Sequence, residues 1–128
     1  MKPVFKPGDQ KSFTRVVLES DCAIFNGELL HRVCSTFALA RDFEWSSRLF
    51  FLEMRDDDEE GVGTMLSIDH KSPAFVEEEI LFTATVERVE RNELICVIEA
   101  KVADRIVATG KTGQKMLKKE KLSALFKG

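Results

Sequence analysis

A long segment without glycine or proline, residues 35–54, constrains the fold of this chain more than any other feature. Ser35 or Thr36 is suited to the N-cap of a helix over this segment. The apolar residues that occupy most of the helix circumference are Phe37, Ala38, Leu39, Ala40, Phe43, Trp45, Leu49, Phe50, Phe51 and Leu52. Because a helix that is apolar nearly all round is enclosed by other structure, the sequence predicts one long central helix.

After Gly61 the apolar residues change from a helical period to a period of two, which is typical of strands. The strands predicted from alternation, together with one before the helix, cover residues 12–19, 62–70, 80–86, 94–102 and 107–117. The pairs Arg91-Asn92 and Asp104-Arg105 are suited to hairpin turns between the last three strands.

The remaining segments predict irregular structure or short elements. Residues 1–11 form an irregular lead-in, and residues 21–31 contain the strong turn signal Asn26-Gly27, which predicts a loop or a short helical turn. Residues 55–61 are acidic but lack the ligand spacing of a calcium loop, so we interpret them as a solvated turn. A short C-terminal helix carries Leu122, Leu125 and Phe126.

The order of elements is therefore a strand, a long helix and four antiparallel strands, with no linker that would divide the chain. An antiparallel meander needs one face covered, and the helix has more apolar surface than an open position tolerates. Wrapping the sheet around the helix satisfies both requirements. The sequence predicts a single α+β domain over residues 1–128 with the hot-dog fold, an antiparallel sheet wrapped around one central helix.

The composition, with 44% hydrophobic and 32% charged residues, is that of an ordinary soluble protein. No apolar run approaches the ~20 residues that a membrane span requires, and the N-terminus lacks the apolar stretch of a signal peptide. We therefore expect a cytoplasmic protein without a membrane partner. A net charge of −3 argues against nucleic-acid binding. One basic cluster is either a solvated face or a site for substrate phosphates: Lys115, Lys118, Lys119 and Lys121.

The chain has three cysteines, Cys22, Cys34 and Cys96, an odd number without CxxC or His/Cys spacing. This pattern argues against a disulfide framework and against a zinc site, and we expect no metal. The cysteines are interpreted as small buried thiols. Cys34 receives further attention because it is close to Thr36 in sequence.

Three polar residues stand in apolar surroundings. Thr36 begins the helix, Glu44 lies between two aromatic residues in its middle, and His70 ends a strand in phase with apolar residues. A carboxylate among aromatic side chains is unfavourable unless it is paired or used, and an imidazole is a suitable partner. Structural interpretations stay open beside this one. Thr36 is also suited to cap the helix, Glu44 to pair with Arg41 or Arg48, and His70 to be a satisfied histidine at a strand end.

The joint spacing of these residues resembles the fluoroacetyl-CoA thioesterase family of hot-dog proteins, over residues 6–126. The matching positions are Ser35-Thr36, Glu44-Trp45, Gly63-Thr64, His70 and the strand segment Ala108-Thr109-Gly110-Lys111. The resemblance implies an enzyme that hydrolyses a small acyl-CoA thioester to the free acid and CoA, with no cofactor. It also implies a homodimer with its sites near the subunit interface.

The resemblance assigns a role to each of five residues. The Thr36 hydroxyl would contact the acyl group, His70 would be the acid/base, and Glu44 would either activate water or attack the thioester itself. Gly63 would offer a backbone contact to the substrate. Gln114 occupies the position of an arginine that lies near the substrate in the family, and so is a candidate substrate-binding residue without the fixed charge.

This chain departs from the family at the acyl pocket. Gly27 and Leu30 occupy the positions of a gating pair of phenylalanines, so the resemblance carries the reaction class and not the fluoroacetyl substrate. Two other functions stay open. One is hydration or dehydration of an acyl thioester, with His31 or the Asp69-His70 pair in the acid–base role. The other is non-catalytic binding of an acyl-CoA or another small ligand.

Overall fold

The computed structural model describes residues 1–25 and 28–127, and of residues 24–31 it describes no side chains. Before the long helix α1 (Thr36–Met54) come three strands, β1 (Gln10–Val16), β2 (Cys22–Phe25) and β3 (Glu28–Cys34), with a 3-10 turn at Glu19–Asp21. After α1 come β4 (Glu59–His70), β5 (Glu79–Glu90), β6 (Glu93–Val102), β7 (Arg105–Lys118) and a short helix, α2 (Lys119–Lys127).

The main sheet has five antiparallel strands in the order β1-β5-β6-β7-β4, and α1 contacts every one of them. The predicted hot-dog arrangement is therefore confirmed. The largest fully buried side chains of α1 are Leu39, Phe43, Phe50, Phe51 and Met54. Burying each such side chain contributes about 1.5–3 kcal/mol, which explains why the sheet closes on this face of the helix.

The opposite face of α1 is open, contrary to the expectation of a fully enclosed helix. The Phe37 side chain is 84% exposed, and Trp45 and Leu52 are also exposed. The side of β4 that His70 shares with Leu66 is open too, since Leu66 is 39% exposed. Both results have one cause. The sheet ends at β1 and at β4, so it leaves a cleft over the helix and a strand edge at β4 that pairs with no described strand.

Residues 21–31 differ most from the expected structure, a loop or a short helical turn. They do not form a loop or helical turn: β2 and β3 pair as a separate antiparallel hairpin. Apolar residues here stand in runs, Ala23-Ile24-Phe25 and Leu29-Leu30, so the sequence lacks the regular alternation that identifies a strand. Asn26-Gly27, the expected turn, lies outside the described residues. The first strand also begins and ends earlier than expected, at Gln10 and Val16.

The acidic segment after α1 is not simply a solvated turn. Glu59 is 7% exposed and begins β4, and its Oε1 lies 2.7 Å from the ammonium nitrogen of Met1. The same ammonium group donates a hydrogen bond of 2.8 Å to Asp56, which lowers the pKa of that carboxyl. Glu60 binds Arg48 at 2.6 Å. The two Met1 contacts hold the N-terminus against the segment that follows α1.

The two tight hairpins of the main sheet are close to those expected. Residues 91–92 form the turn between β5 and β6, as predicted, whereas the turn between β6 and β7 is at residues 103–104, one residue earlier than predicted. Among the residues that the structure describes, no helix is long and apolar enough to span a membrane. The cytoplasmic location stays a prediction.

Candidate active site

The first residue of α1 contacts the last residue of β4. Ser35 is the N-cap of the helix, and its side chain accepts a hydrogen bond of 3.0 Å from the Ala38 amide. The Thr36 hydroxyl is therefore not used for capping. It lies 2.9 Å from Nδ1 of His70, within hydrogen-bond distance, at an exposed position. The partner of His70 is thus a hydroxyl group, not the carboxylate that the sequence suggested.

Glu44 lies on the open face of α1, against Gly63 of β4. A Cβ atom at Gly63 would stand 2.8 Å from Oε1 of Glu44, so a side chain there would displace the carboxylate. The two salt bridges considered for Glu44 are absent from the described residues. Arg41 instead binds Asp42 at 2.9 Å, and Arg48 binds Glu60. The Glu44 carboxylate is left facing the cleft.

Gln114 of β7 is buried beside Glu44. Its side chain is 3% exposed, and its Nε2 donates hydrogen bonds to the main-chain oxygen of Glu44 at 3.1 Å and to the Ser47 hydroxyl at 2.9 Å. Gln114 is also the register partner of Gly63 across β4 and β7. Both residues predicted to bind substrate, Gly63 and Gln114, therefore adjoin Glu44.

A cavity of about 320 Å³ opens at this place, in the cleft between the helix and the strands. Its lining residues are Arg15, Arg41, Asp42, Glu44, Trp45, Arg48, Gly63 and Gln114. Its three arginines are each paired with a carboxylate, Arg15 and Arg41 with Asp42 and Arg48 with Glu60. Thr36 and His70 do not line the cavity.

The five predicted site residues thus form two groups within one chain. Thr36 and His70 form one group, and Glu44, Gly63 and Gln114 form the other. No hydrogen bond among the described residues joins the two groups. Eight residues of helix separate Thr36 from Glu44, roughly 12 Å along the axis. The residues within each group lie next to one another, but in a single chain the two groups are apart.

A buried charge network beside the cavity was not predicted. Asp42 is 2% exposed, forms a salt bridge with Arg15 Nε at 3.0 Å and accepts a hydrogen bond from Arg41 at 2.9 Å. Arg41 also binds the buried Asp21 at 3.2 Å. Hydrogen bonding to Asp42 raises the pKa of Arg41 further. No local pattern indicates this network because its members come from β1, the 3-10 turn and α1.

The cysteines are buried and unpaired, in agreement with their interpretation as small thiols. Burial raises the pKa of both Cys34 and Cys96 to about 12, so neither is a thiolate near neutral pH. Cys34 therefore has no reactive role beside Thr36. Within residues 1–25 and 28–127, no group of three or more His, Cys, Asp or Glu side chains is arranged to hold a metal ion.

Comparison with solved structures places this arrangement among hot-dog proteins. A hypothetical protein of Thermus thermophilus, described as a thioesterase superfamily member, superposes with a TM-score of 0.93 at 26% identity, over 99% of this chain and 93% of that one. A hot-dog-like protein of Thermanaerovibrio acidaminovorans gives 0.88 at 22% identity, over 95% of this chain and 90% of that one. A mutant of the fluoroacetyl-CoA-specific thioesterase FlK gives 0.90 at 17% identity, over 98% of each chain.

The sequence comparisons decide the family. No curated protein matches the chain significantly. The profile of the family described as FlK, fluoroacetyl-CoA-specific thioesterase, matches residues 17–120, and this range includes all five predicted site residues. The chain belongs to the FlK thioesterase family and is a thioester hydrolase.

Proposed function

We propose that this protein hydrolyses a small acyl-CoA thioester to the free acid and CoA, using Thr36, Glu44 and His70. One observation carries the proposal. Ser35 caps α1, and this leaves the Thr36 hydroxyl free to meet His70 Nδ1 at 2.9 Å. A hydroxyl and an imidazole in contact at a helix N-terminus combine a polar contact for an acyl group with a proton carrier.

The roles follow from the chemistry of the reaction. The thioester carbonyl would lie at the start of α1, where main-chain N–H groups favour the negative charge that develops on its oxygen. An oxygen nucleophile bonds to the carbonyl carbon, the carbon–sulfur bond breaks, and the CoA thiolate takes a proton from His70. The nucleophile is either a water molecule deprotonated by Glu44 or the Glu44 carboxylate itself. In the second case Glu44 forms a mixed anhydride with the acyl group, and water then hydrolyses this anhydride to the free acid and the Glu44 carboxylate.

The separation of the two groups favours a site shared between two subunits. The Glu44 carboxylate lies beside Gly63, and His70 is seven positions further along β4, roughly 23 Å of extended strand. That distance is far beyond the ~3 Å needed for proton transfer. We propose a homodimer in which two β4 edges pair antiparallel about a point midway between Gly63 and His70. The partner's Glu44 would then adjoin this chain's Thr36 and His70.

Two features of β4 support such a dimer. It is the last strand of the sheet, so one row of its main-chain hydrogen-bonding groups has no partner strand among the described residues. The apolar side chains Met65 and Leu66, near the proposed centre of pairing, are each 39% exposed. If two such edges pair, the free main-chain N–H and C=O groups form hydrogen bonds between the strands, and Met65 and Leu66 are covered.

The experiment that tests the function is thiol release from a panel of short, branched and aromatic acyl-CoAs. The wild type is compared with His70→Ala, and His31→Ala is the matched control because the chain has two histidines. We expect turnover of at least one substrate, its loss in His70→Ala and its retention in His31→Ala. If the folded wild type binds acyl-CoAs but hydrolyses none, the function is ligand binding and the proposal is wrong.

A further inference from the structure

We infer that Gln114 is a positioning residue for the Glu44 carboxylate and not a substrate-binding residue. The inference rests on the proposed function, since it assigns Glu44 to the reaction. It concerns the part of the site where this chain has an uncharged amide in place of the arginine of its family.

The hydrogen bonds of Gln114 determine which way its amide points. A main-chain carbonyl oxygen can only accept, so the group 3.1 Å from the Glu44 oxygen is the NH₂ group of Gln114. The same nitrogen donates to Ser47 Oγ at 2.9 Å, and that hydroxyl in turn donates to the Glu44 oxygen at 3.1 Å. Two donors therefore converge on the Glu44 carbonyl oxygen, and the one from Gln114 joins this part of α1 to β7.

The register of the sheet completes the arrangement. Gly63 lies directly opposite Gln114 in the pairing of β4 with β7. Gln114 holds the main chain of Glu44, while the absence of a side chain at Gly63 leaves the space that its carboxylate occupies. Two paired residues of the sheet thus place Glu44: Gln114 holds its main chain, and Gly63 leaves room for its carboxylate. The carboxylate therefore lies at the cavity.

Gln114 borders the cavity, but with 3% of its side chain exposed it presents little surface to a substrate. Its NH₂ group is engaged by α1, and its Oε1 is enclosed without a partner among the described residues. Thr112, on the same strand, also has a buried side-chain oxygen, Oγ1, but this oxygen forms no hydrogen bond with Glu44 or with any other described residue. Thr112 is therefore a suitable control.

The test compares Gln114→Met with Thr112→Val. Methionine keeps the unbranched shape but donates no hydrogen bond, and valine removes the Thr112 hydroxyl without changing its volume. Steady-state thiol release gives kcat and KM, and thermal unfolding checks the fold. We expect Gln114→Met to lower kcat about 10- to 100-fold with KM within about 2-fold, because a displaced carboxylate reacts poorly. Thr112→Val is expected to keep both constants.

A second variant keeps the test decisive if Gln114→Met does not fold. In Gln114→Glu the introduced group donates to the Glu44 oxygen only while it is protonated. Its kcat relative to the wild type should therefore fall as the pH rises. A raised KM with unchanged kcat in Gln114→Met would overturn the inference in favour of substrate binding. A relative kcat of Gln114→Glu that does not depend on pH would also overturn it.

Failure of the proposed function has a different signature. Glu44→Gln is measured beside these variants. If Glu44→Gln retains wild-type turnover, Glu44 is not in the reaction, and both the proposed function and this inference are wrong. If Glu44→Gln is inactive while Gln114→Met has wild-type kcat, the function stands and only the inference is wrong.

Discussion

The Thr36 hydroxyl meets Nδ1 of His70 at 2.9 Å, although 34 residues separate them in the sequence. The contact exists because the neighbouring Ser35 accepts the capping hydrogen bond from Ala38. Two adjacent hydroxyl residues thus have different partners: Ser35 stabilises the start of the helix, and Thr36 is free for the role that we propose for it.

This division of tasks can be measured with two variants. Ser35→Ala should lower the free energy of unfolding by about 1 kcal/mol, the usual value of a lost cap, and leave most of the turnover. Thr36→Val should lower kcat/KM by about 100-fold, because the hydroxyl contact to His70 is lost, with little change in stability. Urea unfolding and thiol release give the two quantities. A stability loss in Thr36→Val with full turnover would mean that Thr36 is only structural.

Two glycines of β4 provide a matched pair. Gly63→Ala places a methyl group where Oε1 of Glu44 lies, and a flexible carboxylate can move away. We expect kcat to fall about 100-fold, because the carboxylate is misplaced, with a melting temperature close to that of the wild type. Gly61→Ala instead forces a methyl group against the buried Phe51 ring, and should destabilise the fold by about 1–3 kcal/mol. Equal turnover in Gly63→Ala and the wild type would contradict the position given to Glu44.

A shared site predicts complementation between inactive variants. Glu44→Gln and His70→Ala homodimers, mixed and allowed to exchange subunits, should form hybrid dimers with one intact site. Random exchange would restore about one quarter of the wild-type activity per chain, since half of the dimers are hybrids with one of two sites intact. Thiol release before and after exchange measures the recovery.

The control for complementation mixes Glu44→Gln with a chain that carries both substitutions. No combination of these two supplies a Glu44 carboxylate, so no activity should return. If the original mixture also remains inactive after verified subunit exchange, the site is not shared in the way proposed.

The buried thiols predict how stability depends on alkaline pH. Burial raises the pKa of Cys34 and Cys96 in the folded protein to about 12, against 9.0 for an exposed thiol. The folded state therefore keeps these protons while the unfolded state loses them, and stability falls as the pH rises from 9 towards 12. Each thiol adds at most about 1.4 kcal/mol per pH unit to this slope. The absence of tyrosine leaves fewer other groups that titrate there.

Urea unfolding between pH 8 and 10.5 measures this slope. A Cys34→Ala/Cys96→Ala double variant should be less stable at neutral pH but should show a flatter alkaline slope. An equally steep slope in the double variant would assign the loss of stability to other groups. Native Cys34 should also resist iodoacetamide at pH 8, because so little thiolate is present.

Much of the fold could be predicted from the sequence. The lack of glycine and proline over residues 35–54 and the alternation after Gly61 are local properties, and each identifies an element without reference to the rest of the chain. The hairpin of β2 and β3 was missed because its apolar residues stand in runs, without the alternation on which such a prediction depends. The enclosure of α1 was overestimated because composition cannot show where a sheet stops.

The candidate site was predictable in its members but not in its grouping. Spacing and family resemblance singled out Thr36, Glu44 and His70, and the sequence suggested that the carboxylate meets the imidazole. The structure instead pairs the imidazole with Thr36 and places Glu44 with Gly63 and Gln114. The buried network of Asp42 with Arg15 and Arg41 had no sequence signal.

The sequence by itself determined α1 and the five strands of the main sheet, in their order, because helical and strand periodicity are properties of neighbouring residues. Only the tertiary structure decided which polar groups meet. Gly63 faces Gln114 through the register of β4 and β7, and Thr36 reaches His70 because the sheet curves around the helix. Register and curvature depend on contacts between residues far apart in the chain, and a single sequence does not specify those contacts locally.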